Sequence, residues 1–239
     1  MIVDDFKIII KAKKVPVNID NEIIEYVQDT TLQNNHLQCE IFFQDTLISK
    51  GIILDFYKEF EILQFNNKIF TQIKTFEWNN TIYTKNTYFG QKIFEIKNFK
   101  NPALESKKRE LYINEIVSIF DGYIKFLKKN YTKLQLIFIP SDSKIPNDIT
   151  IKLSEINKLP LSDIIEKNSL VQSKTLTTLG TQRFNKYSMD LSKSNTNDTF
   201  ILIDDVVGTS ASLCETMYKL YAFNKKVNFF FIPVKDVKR

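Results

Sequence analysis

The sequence predicts an α/β protein: a parallel-sheet core preceded by a mostly β or α+β N-terminal region. Three observations carry this. Short, wholly apolar runs at Leu134–Pro140, Phe200–Ile203 and Val227–Pro233 have the character of strands buried on both faces. Between them lie stretches with three- and four-residue apolar spacing, giving the alternation of strand and helix that builds parallel sheets. Ahead of residue 104 the chain is instead rich in Ile, Phe, Tyr and Thr, with Asn-rich corners. The expected division is an accessory β-rich region over residues 1–103 and an α/β domain over residues 104–239.

In chain order, Lys7–Lys14 reads as a strand and Asn21–Gln28 as a short helix. Ile41–Tyr57 and Asn67–Phe89 read as strands, with Asn66-Asn67 and Asn79-Asn80 as hairpin corners because Asn tolerates positive φ. The aromatics of this region, among them Phe56, Phe76, Trp78, Tyr83, Tyr88 and Phe89, serve either as cross-strand packing or as stacking platforms for bases. Asn101-Pro102 marks a break. A helix follows, with Ile113, Ile116, Val117, Phe120, Ile124 and Leu127 on one face, which Gly122 interrupts without ending. After the strand at Leu134–Pro140 comes a polar loop, then a helix over Asn147–Lys158 with Pro146 near its start. Asp163–Ser173 fits a short helix or a short strand, and Ser173–Ser188 a loop or hairpin. The last strand–helix–strand unit closes the pattern.

Composition narrows the chemistry. Hydrophobic residues make up 43% of the 239, enough for a sizeable core. No apolar run approaches the ~20 residues of a membrane helix, and the first residues lack a signal peptide's basic start, so no membrane partner and a cytoplasmic location are expected. Cys39 and Cys214 are far apart and His36 is the sole histidine. A structural zinc site, which takes about four Cys or His ligands, is excluded unless carboxylates join it. A histidine-activated nucleophile would need His36, in a polar stretch. The net charge of +5 is spread along the chain. Its dense basic runs, such as Lys107, Lys108 and Arg109, are solvated faces unless they converge as a nucleic-acid footprint.

The stretch from Phe200 to Tyr221 concentrates the remaining chemistry. An apolar strand ends at two adjacent carboxylates, Asp204 and Asp205, which repel each other unless cations or hydroxyl donors meet them. Val206, Val207, Gly208, Thr209, Ser210, Ala211 and Ser212 follow, and then a helix. That loop offers successive N–H groups, three hydroxyls and a helix N-terminus, an anion cradle of the kind phosphates use. Sugar-hydroxyl acceptors a few residues before a phosphate cradle match the reach of a ribose 5-phosphate. In open α/β sheets ligands sit beyond the carboxyl ends of strands, where the Ser141, Asp142, Ser143, Lys144 loop also falls.

This arrangement resembles the phosphoribosyl-pyrophosphate signature of the type I phosphoribosyltransferases, in which an apolar strand is followed by two acids, two hydrophobes and a Thr/Ser-Gly loop. Two positions depart: Gly208 stands where Thr, Ser or Ala is usual, and Ser210 where Gly is usual. The expectation is that the loop's glycine has been displaced to 208. The segment Leu136–Lys144 is similar in position to the family's pyrophosphate loop, and Lys174–Asn185 looks like a stretch of ComF-type competence proteins, although their N-terminal four-cysteine zinc module has no counterpart here. The resemblance covers residues 104–239.

What it implies is a pocket for phosphoribosyl pyrophosphate with Mg²⁺ as cofactor. Asp204 and Asp205 would be the catalytic and metal-facing acids, meeting the ribose 2′- and 3′-hydroxyls directly or through Mg²⁺. Residues 206–212 would take the 5-phosphate. Ser141–Lys144 would meet the pyrophosphate, with Lys174 or Arg183 closing over it. The implied reaction displaces pyrophosphate from the anomeric carbon by a nitrogenous base and needs no histidine or cysteine. The alternative is a non-catalytic module of the same fold, regulatory or handling single-stranded nucleic acid. Oligomerisation is compatible with either.

Overall fold

A mixed sheet of eight strands with helices on both faces organises the described residues of this computed structural model, which are 6–12, 22–26, 36–66, 68–98, 102–167, 187–208 and 210–236. The N-terminal strands are β1 (Phe6–Ala12), β2 (Glu22–Tyr26), β3 (Leu37–Phe43) and β4 (Thr46–Phe56). Two hairpins follow, β5 (Phe60–Phe65) with β6 (Lys68–Ile73) and β7 (Thr75–Trp78) with β8 (Thr81–Thr84). Helices α1 (Tyr88–Asn98) and α2 (Pro102–Lys128) lead into β9 (Leu134–Phe138) and α3 (Ile145–Asn157). A small antiparallel pair, β10 (Ile165–Lys167) and β11 (Tyr187–Met189), precedes β12 (Thr199–Ile203), β13 (Val206–Val207), α4 (Ala211–Asn224) and β14 (Asn228–Lys235).

The sheet order is β2-β1-β3-β4-β14-β12-β9, with β13 alongside the end of β14. Strands β4, β14, β12 and β9 run parallel, as the apolar runs predict, while β3 is antiparallel to both β4 and β1. The sheet therefore passes without a break from strands before residue 103 to strands after it. Gly51 sits where β4 meets β14, and a Cβ there would lie 2.2 Å from the Phe230 ring, so this close approach requires glycine.

Alternation along the central strands divides the core into two layers. Ile137, Phe200, Leu202, Phe230 and Ile232 face α4, packing with Leu213, Met217 and Leu220. Leu134, Leu136, Ile201, Ile203 and Phe231 face the other way, onto Ile93 of α1, Ile116 and Phe120 of α2, and Ile149 and Leu153 of α3. The helical face expected over residues 113–127 is the one buried.

Most expected elements appear close to their expected bounds, with three differences. Residues 22–26 form strand β2, not a helix. Isoleucine as a residue type favours extended backbone, and the open edge of β1 supplies a parallel partner, Ile9 opposite Ile23. Helix α1 has no counterpart in the sequence-based expectations. Its start is marked by Thr87, whose hydroxyl accepts from the Gly90 N–H at 3.1 Å, a side-chain cap. Asn66, Asn79 and Asn80 do take positive φ, of 49°, 49° and 57°, at the two hairpin corners, but the β3–β4 corner uses Gln44 and Asp45, at 46° and 61°. His36 is buried, with Nδ1 2.7 Å from the Tyr123 hydroxyl, and both cysteines are buried as expected of small hydrophobes. Among the described residues no helix is long and apolar enough to cross a membrane.

Candidate functional site

Register places the two expected loops side by side. Phe138 is opposite Ile203, so the segments leaving β9 and β12 start together, joined by the Ile139 N–H donating to the Ile203 carbonyl at 2.9 Å. Just beyond, the Ser143 and Ser141 hydroxyls donate to Asp205 Oδ2 at 2.7 and 3.2 Å. Lys97, on α1, brings its Nζ to the same oxygen at 3.0 Å. Asp205 is buried, and a desolvated carboxylate is tolerable only with such donors around it. Asp204 is partly exposed beside it and accepts the Asp205 N–H at 2.8 Å.

The second loop is anchored from beneath. Strand β13 pairs with the end of β14, Val207 opposite Lys235, and the Asp236 N–H donates to the Val207 carbonyl at 2.7 Å. The Lys235 side chain is fully buried and donates to the Gly208 carbonyl at 2.7 Å and to the Asp236 carbonyl at 3.1 Å. Ser210, immediately before α4, is left-handed (φ 59°, ψ −7°). Lys144, immediately before α3, is left-handed as well (φ 56°, ψ 5°). A left-handed residue at a helix entrance turns successive N–H groups toward one point, which is how backbone nests receive anions.

The displaced-glycine expectation is not met. Gly208 has no left-handed φ and a Cβ there would meet nothing within 4 Å, so neither conformation nor space demands glycine at 208. The strained position is Ser210, where an L-residue costs about 1 kcal/mol or more relative to glycine.

A cavity of about 690 Å³ opens between the loops. Ser141, Asp142, Ser143, Asp204, Asp205, Val206, Val207, Gly208, Ser210 and Ser212 all border it. Ala211 is buried at the start of α4 and Lys144 is exposed at the entrance to α3; neither lines the cavity. Thr209, Lys174 and Arg183 lie outside the described residues. Four polar lining residues were not anticipated as site residues: Lys97, Arg109, Lys167 and Tyr187. Arg109 is fixed by Asp148, with Nη2 at 2.7 Å and Nε at 3.1 Å, and donates through Nη2 to the Ser143 carbonyl at 2.7 Å. Lys167 approaches Asp142 at 3.4 Å. Burial pushes the Tyr187 phenol well above its usual range, helped by the nearby charges of Asp204, Asp205 and Glu215 and opposed by a hydrogen bond with Ser212.

Lys97, Arg109 and Lys167 share the cavity lining with Asp142, Asp204 and Asp205. Among the described residues no group of three or more His, Cys, Asp or Glu is placed to hold a metal. A hard cation such as Mg²⁺ takes about six oxygens. Asp142, Asp204 and Asp205 line the cavity, with Asp205 already receiving three donors, so these side chains fit an Mg²⁺ only as part of a larger oxygen set.

No protein-family model matches the chain, and no curated protein does. Among solved structures, a hypoxanthine phosphoribosyltransferase from Staphylococcus aureus is similar at 17% identity and a TM-score of 0.33, over 52% of this chain. The match spans 62% of that enzyme's length. A TM-score this low does not establish a shared fold.

Proposed function

We propose that the chain binds phosphoribosyl pyrophosphate with Mg²⁺ and transfers its ribose 5-phosphate to a nitrogenous base. One observation carries this reading: a single cavity is bordered by the acid pair at the end of β12, the serine loop after β9, and Gly208, Ser210 and Ser212 around the start of α4. Ribose hydroxyls need acceptors and phosphates need N–H groups and cations, and here the two lie a few residues apart.

In this reading Asp204 accepts hydroxyls of the ribose. The N–H groups ahead of α4 and the Ser210 and Ser212 hydroxyls hold the 5-phosphate. Bound Mg²⁺ supplies charge neutralisation at the pyrophosphate. As the bond from the anomeric carbon to pyrophosphate breaks, Arg109 and Lys167 stabilise the departing negative charge. The lone pair of the base nitrogen forms the new C–N bond, and the nitrogen's proton leaves to solvent. Positioning and electrostatics do the work, so no histidine or cysteine is needed.

Isothermal titration with phosphoribosyl pyrophosphate and Mg²⁺ tests the pocket. Binding is expected in the wild type and lost in the Asp204→Asn, Asp205→Asn double variant; no binding at millimolar ligand sinks the reading. Pyrophosphate release with a panel of bases separates an enzyme from a binding module.

A second reading, a single-stranded nucleic-acid module, draws on one observation. Phe76, Trp78 and Tyr83 are exposed together on one face of the β7–β8 hairpin, with Phe76 and Tyr83 stacked at 5.6 Å, next to exposed Lys74 and Lys85. It requires salt-dependent oligonucleotide binding that falls in Trp78→Ala.

A further inference from the structure

We propose that Lys97 is a built-in counter-cation, holding Asp205 until an anionic phosphate group binds and then transferring to that group. The inference deepens the phosphoribosyl reading and rests on it for the identity of the ligand, though not for the Lys97–Asp205 exchange itself.

Three facts lead to it. The Asp205 carboxylate is only 8% exposed, yet the Lys97 side chain facing it is 33% exposed, so the pair has one fixed member and one with room to move. Lys97 also lines the cavity, so a ligand there comes near its side chain. Finally, Lys97 comes from α1, whereas Ser141, Ser143 and Asp205 belong to the loops after β9 and β12. Withdrawal of the lysine leaves Asp205 its two hydroxyl donors and breaks no contact within those loops.

The consequence is a competition. Two neighbouring carboxylates attract divalent cations, and an ammonium 3.0 Å from one of them lowers that attraction. Lys97 therefore opposes the capture of free cations by the acid pair. A phosphate ligand relieves the block by drawing the ammonium to itself, leaving Asp205 open to the cation that the ligand carries.

Mn²⁺ titration of the full chain, followed by the electron paramagnetic resonance signal of the free ion and without any phosphoribosyl ligand, tests the exchange. Lys97→Met is expected to bind Mn²⁺ about tenfold more tightly than the wild type, with Lys97→Arg unchanged. Adding Asp205→Asn to Lys97→Met is expected to abolish the gain. Equal Mn²⁺ affinity in Lys97→Met and the wild type overturns the proposal, as does a gain that survives Asp205→Asn. Should Lys97→Met fold poorly, Lys97→Gln removes the charge and keeps a donor, and the same comparison applies. In a second arm, inorganic pyrophosphate in metal-free buffer is expected to bind Lys97→Met about tenfold more weakly than the wild type. A lysine that merely braces Asp205 would lower the melting temperature and change neither affinity, and that pattern also overturns the proposal. If phosphoribosyl pyrophosphate fails to bind the wild type, the functional reading falls while the Mn²⁺ comparison still decides the role of Lys97.

Discussion

Ser210 is where sequence and geometry meet most directly. A serine where the resembling family has glycine stands out in the sequence, and the backbone there is left-handed, the conformation glycine adopts without penalty. Ser210→Gly is expected to raise stability by about 0.5–1 kcal/mol, read from the urea midpoint, because relief of the left-handed strain outweighs the added freedom of the unfolded chain. Gly208→Ala, with open space around it, is expected to cost about 0.5 kcal/mol or less. His36 offers a test free of interference, being the sole histidine. Burial holds its pKa below the ordinary 6.5, so the neutral form is the one the fold favours. Its contribution to stability is complete above pH 6.5 and is lost as the pH falls through the lower, folded-state value. Melting temperature measured from pH 7.5 downward is expected to fall less steeply in His36→Gln than in the wild type. Tyr57 acts at the opposite end of the scale. Burial, reinforced by the charges of Asp236 and Asp205, raises its pKa to about 12, so the stability it lends is lost as the pH climbs from 10 toward that value.

At the scale of elements, the expectations hold best where a short segment declares itself. The apolar runs became β9, β12 and β14, and the Asn corners became hairpin turns, because each depends on its own few residues. Strand β2 and helix α1 escaped because their signals are weak locally. Five residues are too few to show a helical or extended period, and Thr87 is one of many threonines in a strand-like run. Two contacts between elements can be tested. Gly51→Ala would press a Cβ into the Phe230 ring and is expected to cost about 3 kcal/mol in chemical denaturation. Lys219 ties α4 to β11, donating to the Tyr187 carbonyl at 2.6 Å and pairing with the fully buried Glu215. Lys219→Met strands that carboxylate and is expected to cost about 3 kcal/mol.

At the scale of the whole molecule, the site is assembled from segments that sequence proximity cannot associate. The acid pair and its loop are contiguous and were legible, as was the serine loop that register brings beside them. Lys97 and Arg109 were not, since only the packing of α1 and α2 over the sheet carries them to the cavity, and Arg109 reads in sequence as part of a basic surface run. Lys235 was hidden differently. A lysine ending an apolar strand looks solvent-bound, whereas its ammonium is spent on the carbonyls of Gly208 and Asp236. The continuity of the sheet across residue 103 gives a further expectation. A fragment of residues 104–239 loses Lys97 and leaves β14 without its β4 partner. It is expected to aggregate or stay partly unfolded by size exclusion and circular dichroism, where the full chain does not.

The place of β14 between β4 and β12 also sets an order of events in time. The Ser49 hydroxyl of β4 donates to the Asn228 carbonyl of β14, a partner 179 residues further along the chain. Until β14 is made and inserted, β4 and β12 each have one edge unpaired, so the N-terminal strands must wait with apolar surface uncovered. Closure over so long a separation is entropically slow. Refolding is therefore expected to run on the slow side for a chain of this size, with yield falling as concentration rises, because the waiting edge is open to intermolecular pairing.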